Sequence, residues 1–367
     1  MRISVLLPDL RAGGAEGIHV QMAALWVQWG FDVEFVLFRR KGELIDQLPA
    51  AASLVALDAS RVRSAFLPLA RYLRARRPQA LLAAMWPLTV LAPLAARTAG
   101  FPGRVAISEH SPLAHAYAGR GRVHQAVLRG STRLAYPLAD ARIGVSGGVA
   151  DGLAALSGLP RSGFRVVHNP AAGTRAPTGA LRRPPSLGES ARVVLAVGTL
   201  KKVKRHDLLL QAFARIAEPG LVLCILGEGD ERARLEALVR ELGLQDRVSM
   251  PGYVADPSTW YAHADLFVLA SDYEGFGNVI VEAMDHGVPI VSTDCPVGPR
   301  EILEGGRYGT LTPVGDPEAL AVAMRAALQR THDRAAIKAR ARDFSVEKIA
   351  DQYLDLLLPG WRAGRSA

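Results

Sequence analysis

The chain of 367 residues is long enough for about two domains, at roughly 150 residues each. It is 49% hydrophobic and 22% charged with only two cysteines, which excludes a disordered chain or a disulfide scaffold and fits a reducing cytoplasm. The net charge of +9 is uneven: residues 1–170 carry 20 Lys and Arg against 10 Asp and Glu, whereas residues 191–367 carry 21 against 24. The basic half should therefore meet an acidic partner, either nucleic acid, anionic lipid or a phosphorylated substrate.

The first apolar segment, residues 3–7, is cut short by Asp9 and Arg11 with no small-residue cleavage site after it. We therefore predict a first strand there, not a signal peptide. The longest uncharged run covers residues 78–96, which is enough to span a membrane. Because Pro87 and Pro93 interrupt it, we favour a buried strand followed by a helix over a transmembrane segment.

Apolar runs without alternation are interleaved with amphipathic stretches along the whole chain. This pattern predicts parallel strands buried on both faces and connected by helices. In the first half the predicted strands are 3–7, 32–38, 53–57, 80–84, 104–108, 141–145 and 164–168, and the predicted helices are 17–29, 67–75, 88–99, 122–136 and 147–157. In the second half the predicted strands are 192–197, 221–226, 247–249, 266–269, 288–292 and 308–311, and the predicted helices are 203–217, 230–242, 278–286 and 315–329.

Between the two series, residues 169–186 contain four prolines and two glycines without apolar periodicity, which indicates a linker. The predicted fold class is α/β, with two Rossmann-like doubly wound parallel-sheet domains that face a cleft. Ligands of such sheets bind at the carboxyl ends of the strands, so the cleft is the expected site. The predicted parts are an N-terminal domain (1–172), a linker (173–190), a C-terminal domain (191–345) and a C-terminal helix within 346–367 that returns to the N-terminal domain.

The strongest local pattern is the segment 272–284, which follows a predicted strand and opens a helix. Gly275 and Gly277 free the backbone at the helix start, where main-chain amides and the helix dipole would hold phosphate oxygens. Glu274 and Glu282 bracket that position, so one carboxylate could bind the hydroxyls of a sugar and the other those of a ribose. The alternative is an ordinary amphipathic helix with solvated acids.

Three further loops end predicted strands. Residues 197–207 hold several cationic side chains that suit a polyphosphate, or form a solvated surface run. In residues 227–230, Gly227 frees the backbone and Asp230 could simply cap the next helix. His110 ends a strand at the expected cleft, although a lone histidine is more often structural.

Glycines also follow the first strand, in residues 12–17. Together with Arg39 and Arg40 they weakly resemble a fingerprint for a dinucleotide with a 2′-phosphate, and a tight turn explains them equally well. No phosphate-loop motif, metal-spaced Cys and His set or paired Asp motif is present, so we predict no required metal.

Glu274 and Glu282, eight positions apart around Gly-Phe-Gly-Asn, resemble the paired-glutamate motif of the retaining family 4 glycosyltransferases with the GT-B fold. The resemblance covers nearly the whole chain, is most specific over 191–330, and includes bacterial enzymes of lipid-linked glycan or surface polysaccharide assembly. Further agreeing stretches are 13–16, 145–146, 168–170, 198–204, 283–291, 298–302 and 309–316.

The resemblance implies a role for each matching residue. Lys204 would hold the donor diphosphate, Glu282 the ribose hydroxyls and Glu274 the transferred sugar, with His110 over that sugar. Thr199 stands where the family usually has Arg, so Lys201, Lys202 or Arg205 must supply the charge. The other donor-binding positions implied are Gly13, Gly14, Gly227, Val254, Gly275, Phe276, Gly277 and Asn278, and the catalytic group implied is His110, Lys204 and Glu274.

The resemblance also implies the reaction: transfer of a hexose or N-acetylhexosamine with retention, from a nucleotide sugar (UDP-linked by family habit), without metal or cofactor. Glu274 is the nearest candidate nucleophile for a double displacement, but in this family it binds hydroxyls, which favours same-face attack by the acceptor. The acceptor would be a glycan or a polyprenyl diphosphate-linked glycan. Basic amphipathic stretches near Arg71 and Arg129 suggest peripheral contact with the cytoplasmic face of an anionic membrane, and solvated arginines are the alternative.

Two other classes stay open from the sequence. An NADP-dependent oxidoreductase would use the glycine loop and Arg39 and Arg40, but Ala12 and the lack of a Tyr-x-x-x-Lys motif count against it. A non-enzymatic membrane or nucleic-acid module would use the basic half, but it gives no reason for the acidic pair in the other half. We therefore expect no nucleic-acid partner.

Overall fold

The computed structural model describes residues 1–11, 13–59, 61–173, 183–184 and 191–363. The chain divides into two compact units, one made of Met1–Pro170 and Val346–Ala367 and the other of Ala171–Ser345. Each unit contains one parallel sheet flanked by helices, which confirms the predicted fold class of two doubly wound α/β sheets.

The first unit is built on a seven-stranded parallel sheet of order β3-β2-β1-β4-β5-β6-β7. The strand order reverses between β1 and β4, which is where doubly wound sheets bind ligands. The strands are Arg2–Leu7 (β1), Asp32–Leu37 (β2), Ser53–Ala56 (β3), Ala80–Ala84 (β4), Arg104–Glu109 (β5), Ala141–Gly144 (β6) and Arg165–Val166 (β7), and the helices are Gly14–Gln28 (α1), Phe66–Arg76 (α2), Leu88–Ala99 (α3), Leu113–Ala116 (α4), Gly121–Ala135 (α5) and Gly147–Ser157 (α6).

The second unit has a six-stranded parallel sheet of order β10-β9-β8-β11-β12-β13, with its reversal between β8 and β11. The strands are Arg192–Val197 (β8), Leu221–Leu226 (β9), Val248–Gly252 (β10), Leu266–Leu269 (β11), Ile290–Thr293 (β12) and Thr310–Thr312 (β13). The helices are His206–Ala214 (α7), Arg232–Glu241 (α8), Ser258–Ala262 (α9), Asn278–Asp285 (α10), Pro299–Ile302 (α11), Pro317–Gln329 (α12) and Arg334–Ala341 (α13).

Helix α14, Val346–Leu357, belongs to the first unit. The indole of Trp26 on α1 donates to the Ala350 carbonyl at 3.1 Å, and Arg104 Nε donates to the Leu356 carbonyl at 3.2 Å.

The division between the units falls after Pro170, two residues before the predicted boundary at 172, because the Ala171 amide donates to the Phe344 carbonyl of the second unit at 3.0 Å.

The strands are apolar without alternation because both of their faces are buried. Ile3 and Val5 of β1 belong to one buried cluster and Leu6 to another, on the opposite face of the sheet. The uncharged run at 78–96 forms β4 and most of α3. In the described part of the chain, no helix combines the length and the apolar character that a membrane span requires.

Helix α1 begins at Gly14, three residues before the predicted start at 17. Glycine has a low helix propensity, which is why the sequence pattern placed Gly14 in a loop. Helices α4, α9, α11 and α13 are not predicted from the sequence, because these short segments show no clear apolar period. Most of the predicted linker lies outside the described residues; Gly173 at its start donates to Asp285 in the second unit at 2.8 Å.

Candidate functional site

The loop before α10 in the second unit ends at Gly277, whose φ of 105° is a conformation that favours glycine. Phe276 is 2% exposed and its ring lies 5.3 Å from that of Phe344, so its side chain anchors the loop. A side chain at Gly298 would collide with the main chain of Phe276, which explains why a glycine faces this loop. Helix α10 begins at Asn278, so the predicted phosphate cradle lies at a helix N-terminus.

Glu274 lies in this loop and is nearly buried, with 9% of its surface exposed. Its Oε1 accepts hydrogen bonds from Lys204 Nζ at 2.7 Å and from the Ser271 hydroxyl at 2.6 Å. Thr293 donates to the Ser271 carbonyl at 2.7 Å and so ties β12 to the end of β11. Lys204 and Glu274, 70 positions apart in the sequence, are therefore direct partners in a charge-assisted contact.

The basic and histidine side chains of the segment after β8 lie in different environments. Arg205 binds two carboxylates, Asp207 at 3.1 Å and Asp272 at 3.0 Å. His206 is 6% exposed, and burial lowers its pKa to about 4, so it is neutral at pH 7. The segment therefore does not present all its donors to one polyphosphate, as the sequence suggested, and Lys204 is the member that reaches Glu274.

Thr199, at the position where the family usually has Arg, is exposed after β8, and its carbonyl accepts from the Lys201 amide at 2.8 Å. Three residues were expected to supply the missing charge. Arg205 is held by carboxylates, whereas the side chains of Lys201 and Lys202 are exposed. An additional positive charge beside Thr199 would therefore come from Lys201 or Lys202.

Gly227 follows β9 with a φ of 142°, and a side chain there would collide with the Gly198 carbonyl. The ends of β8 and β9 thus approach closely at this implied donor-binding position. Val254 is partly exposed in the loop after β10. The capping role considered for Asp230 is wrong, because α8 has Glu231 as its N-cap residue, without a side-chain capping bond.

Glu282 is the fifth residue of α10 and is partly exposed. Its Oε2 accepts a hydrogen bond from the hydroxyl of Tyr261, on α9, at 2.8 Å. The two glutamates of the motif are thus held by different groups, Glu274 by Lys204 and Ser271 and Glu282 by Tyr261.

Gly13 and Gly14 form the start of α1 in the first unit, with Gly13 as the N-cap residue. A side chain at Gly13 would collide with the carboxylate of Glu16, in the first turn of the same helix. Burial raises the pKa of that carboxyl. Because the positive end of a helix attracts anions, Glu16 already provides one here, and it would have to move for a phosphate to approach Gly13.

His110 follows β5 in the first unit, and burial lowers its pKa to about 3, so the ring is neutral at pH 7. Its Nδ1 lies 3.1 Å from the Asn169 amide oxygen, which only accepts, so Nδ1 carries the proton and Nε2 the lone pair. Nε2 then accepts from the Ser108 hydroxyl at 3.3 Å, and Ser108 in turn accepts from Tyr353 on α14 at 2.8 Å. His110 is therefore neutral, and both of its ring nitrogens have hydrogen-bond partners within the first unit.

His19 on α1 is fully buried and packs against the partly exposed His110, with ring centroids 5.2 Å apart. Its Nδ1 donates to the Ala15 carbonyl at 2.7 Å, and burial lowers its pKa to about 4. Within the described residues its Nε2 has no hydrogen-bond partner. Both rings are thus uncharged at pH 7.

Sequence reasoning missed the side chains that hold the candidate residues in place. Ser108 and Ser271 lie at the carboxyl ends of β5 and β11, so a search of strand ends for polar residues could have found them. Tyr261 and Tyr353 lie in helices, and nothing in their local sequence marks their contacts. In the part of the chain that the structure describes, no group of three or more His, Cys, Asp or Glu side chains could hold a metal ion.

Comparison with protein families gives two matches, one for each half of the chain. Residues 12–171 match the model described as Glycosyltransferase Family 4, and residues 179–344 match that of the glycosyl transferases group 1. Among curated proteins, the lipopolysaccharide core biosynthesis glycosyltransferase LpsE of Rhizobium meliloti is 36% identical over 172 residues, which cover 46% of this chain and 50% of that protein.

A second curated relative, from Campylobacter jejuni, is named N-acetylgalactosamine-N,N'-diacetylbacillosaminyl-diphospho-undecaprenol 4-alpha-N-acetylgalactosaminyltransferase. It is 35% identical over 171 residues, 46% of this chain and 47% of that protein. The chain therefore spans about half the length of the curated relatives it matches.

Solved structures resemble the chain over nearly its whole length. Anabaena HepE in complex with UDP-glucose has a TM-score of 0.80 at 22% identity, and the lipopolysaccharide outer core galactosyltransferase WaaB has 0.74 at 20%. Each alignment covers 97% of this chain and 99% of the other. At this level of identity the likeness shows a shared fold.

Proposed function

The chain belongs to glycosyltransferase family 4 and has the GT-B fold, and from this premise we propose that it transfers a sugar from a nucleotide diphosphate donor to a glycan or lipid-linked acceptor. The donor would be a UDP-hexose or UDP-N-acetylhexosamine. The acceptor would be a polyprenyl diphosphate-linked or surface glycan, and the protein would act at the cytoplasmic face of a membrane.

The observation that carries the proposal is the contact between Lys204 and Glu274 beside the start of α10. A cation, a carboxylate and a helix N-terminus meet within one unit, and Glu282 extends from the same helix. A diphosphate needs the cation and the helix end, whereas sugar and ribose hydroxyls need the carboxylates. No other class weighed from the sequence uses all these groups together.

The chemistry follows from where charge develops. As the anomeric bond breaks, negative charge grows on the departing diphosphate, and Lys204 with the amides at the start of α10 would stabilise it. These groups supply positive charge without a metal, so we propose a metal-independent reaction. Glu274 is the candidate nucleophile for a double displacement, but two hydrogen bonds to its Oε1 reduce its nucleophilicity. We therefore propose retention by same-face attack of the acceptor, with Glu274 binding the sugar.

The names of relatives and neighbours support the choice of substrates. UDP-glucose is bound in the Anabaena neighbour, and the Campylobacter relative is named for a diphospho-undecaprenol substrate. The Rhizobium relative is named for lipopolysaccharide core biosynthesis. A UDP-sugar donor and an acceptor attached to a lipid are consistent with all three.

Peripheral membrane contact is proposed for the outer face of α5 in the first unit. Val123 is 80% exposed, Val127 54% and Leu134 66%, which are large values for apolar side chains. Arg122 and Arg133 are exposed on the same helix. Apolar side chains that enter the headgroup region, next to arginines that attract anionic lipid, are typical of helices that lie on a membrane.

A binding and turnover experiment tests this function. Thermal unfolding with UDP-, GDP- and ADP-sugars and with NADPH should show stabilisation by one class of nucleotide sugar, of about 2.7 kcal/mol at 100 times its Kd. The product of transfer to a polyprenyl diphosphate-linked glycan should keep the donor's anomeric configuration by NMR, with and without EDTA. Stabilisation by NADPH and by no nucleotide sugar would support the oxidoreductase alternative instead.

A further inference from the structure

Tyr261 on α9 carries a buried hydroxyl whose role the family motifs do not describe. The residue is 1% exposed, and its hydroxyl donates to Glu282 Oε2 at 2.8 Å across 21 positions of sequence. We infer that Tyr261 is a positioning residue that orients the Glu282 carboxylate toward the ribose hydroxyls of the nucleotide. The inference rests on the proposed function, in which Glu282 binds those hydroxyls.

The phenol ring is fixed from two sides. Its centroid lies 5.9 Å from that of Phe267 in β11 and 5.5 Å from that of His286, with the His286 ring nearly parallel. His286 directly follows α10, and its Nδ1 lies 3.0 Å from the Glu282 carbonyl. The hydroxyl that reaches Glu282 is therefore held by the same strand and helix that carry the candidate site.

Glu282 needs such a support. It is partly exposed on α10, and its side chain has three rotatable bonds, whose freedom must be lost when a ligand binds. A hydrogen bond from a neutral, immobile phenol to a carboxylate is charge-assisted and fixes the carboxylate plane before binding. A carboxylate has about four acceptor positions, so a bond from Tyr261 does not by itself prevent Glu282 from binding two vicinal hydroxyls.

The ligand itself can report on this geometry. UDP has both ribose hydroxyls, whereas 2′,3′-dideoxy-UDP has the same base and diphosphate but nothing for Glu282 to bind. If Tyr261 acts through Glu282, removing its hydroxyl lowers the affinity for UDP and does not change the affinity for the dideoxy analogue. A general effect on the fold would lower the affinity for both ligands equally.

The experiment measures the Kd of UDP and of 2′,3′-dideoxy-UDP by calorimetry for the full chain and for Tyr261→Phe. We expect Tyr261→Phe to weaken UDP about tenfold, which corresponds to 1.4 kcal/mol, and to leave the dideoxy analogue unchanged. Tyr72→Phe, which removes another buried tyrosine hydroxyl, on α2 of the first unit and away from every candidate residue, is the matched control and should leave both affinities unchanged. In turnover, Tyr261→Phe should raise the donor KM and leave kcat unchanged.

Equal weakening of both ligands, or unchanged UDP affinity in Tyr261→Phe, would overturn the inference while UDP binding by the wild type still supports the proposed function. A wild-type chain that binds no nucleotide would contradict the proposed function and this inference with it. In a Glu282→Ala background, Tyr261→Phe should have no further effect on UDP, and an additive loss would also overturn it. Because Tyr261→Phe keeps the buried ring and removes only the hydroxyl, the fold should be retained, and thermal unfolding of the variant checks this.

Discussion

The first unit carries 23 Lys and Arg against 13 Asp and Glu, and the second carries 21 against 22. The charged side chains of the candidate site nevertheless lie in the nearly neutral second unit, where Lys204 binds Glu274 and Arg205 binds Asp207 and Asp272. In the strongly basic first unit, the corresponding residue His110 is uncharged and held by neutral groups. The net charge of a unit therefore does not indicate where the charged side chains of the candidate site lie. The excess of Lys and Arg in the first unit lies outside that site.

The largest expected effect comes from replacing Glu274, the first glutamate of the motif in the second unit. Glu274→Gln should lower kcat for sugar transfer by roughly 10²–10³-fold, because the carboxylate that would hold the transferred sugar in its reactive position is lost. It should leave UDP affinity nearly unchanged, because UDP lacks the transferred sugar that Glu274 would bind. Steady-state kinetics and UDP calorimetry give the two values.

Asp272→Asn is the matched control for Glu274→Gln, since Asp272 lies two residues away and binds Arg205 instead of Lys204. It should retain at least about half of the transfer rate, because the partly exposed ion pair between Asp272 and Arg205 contributes little. If Asp272→Asn lost as much activity as Glu274→Gln, the loss would reflect a general effect of the ion pairs. The specific role of Glu274 would then be contradicted.

A pH experiment tests the neutral character of the first unit. The pKa of His19 falls to about 4 in the folded chain from an ordinary value of 6.5, so the unfolded chain binds a proton that the folded chain does not. Its contribution to stability is therefore present above pH 6.5 and is lost as the pH falls from 6.5 to 4. The free energy of unfolding should decrease over this window, with about 3 kcal/mol of the decrease due to His19.

Chemical denaturation of the wild type and of His19→Gln at several pH values measures that contribution. The variant should show a shallower decrease, whereas His115→Gln, at an exposed position on α4, should follow the wild type. Equal slopes for the wild type and His19→Gln would show that the first unit does not keep His19 neutral.

The smallest expected effect concerns the surface of the first unit. Replacing both Val123 and Val127 with Ser should weaken binding to vesicles of anionic lipid about fivefold, because two exposed apolar side chains no longer enter the headgroup region. Val322→Ser, at a 51% exposed position on α12 of the second unit, should change nothing. Sedimentation of protein with vesicles gives the ratio, and equal binding by all variants would show that α5 does not face the membrane.

Much of the fold could be predicted from the sequence, because strands buried on both faces and helices with a clear apolar period leave direct patterns. Strand β8 and helix α3 have the predicted bounds, and errors arise where local preference and structure conflict, as at Gly14. The family, predicted from Glu274 and Glu282 with their surrounding motifs, is confirmed by the two family models.

The partners of the candidate residues could not be predicted in the same way. Lys204 meets Glu274 across 70 positions and Tyr353 reaches Ser108 across 245, so both contacts depend on how strands and helices are arranged in space. The carboxylate of Glu16 over Gly13 is a local contact, but its position depends on a helix start that the sequence misplaced. The assigned roles of the site residues stay predictions.

The central claim is that the donor diphosphate is bound by Lys204 in the second unit and not by the bulk positive charge of the first. The most direct test is calorimetry of UDP-glucose binding to the wild type, to Lys204→Ala, and to a variant in which Arg122, Arg129 and Arg133 are all Ser. We predict that Lys204→Ala weakens binding at least about tenfold, the cost of one lost charge-assisted contact. The triple variant, which lowers the net charge by three, should bind as the wild type does. Unchanged affinity in Lys204→Ala together with weakened binding in the triple variant would contradict the account.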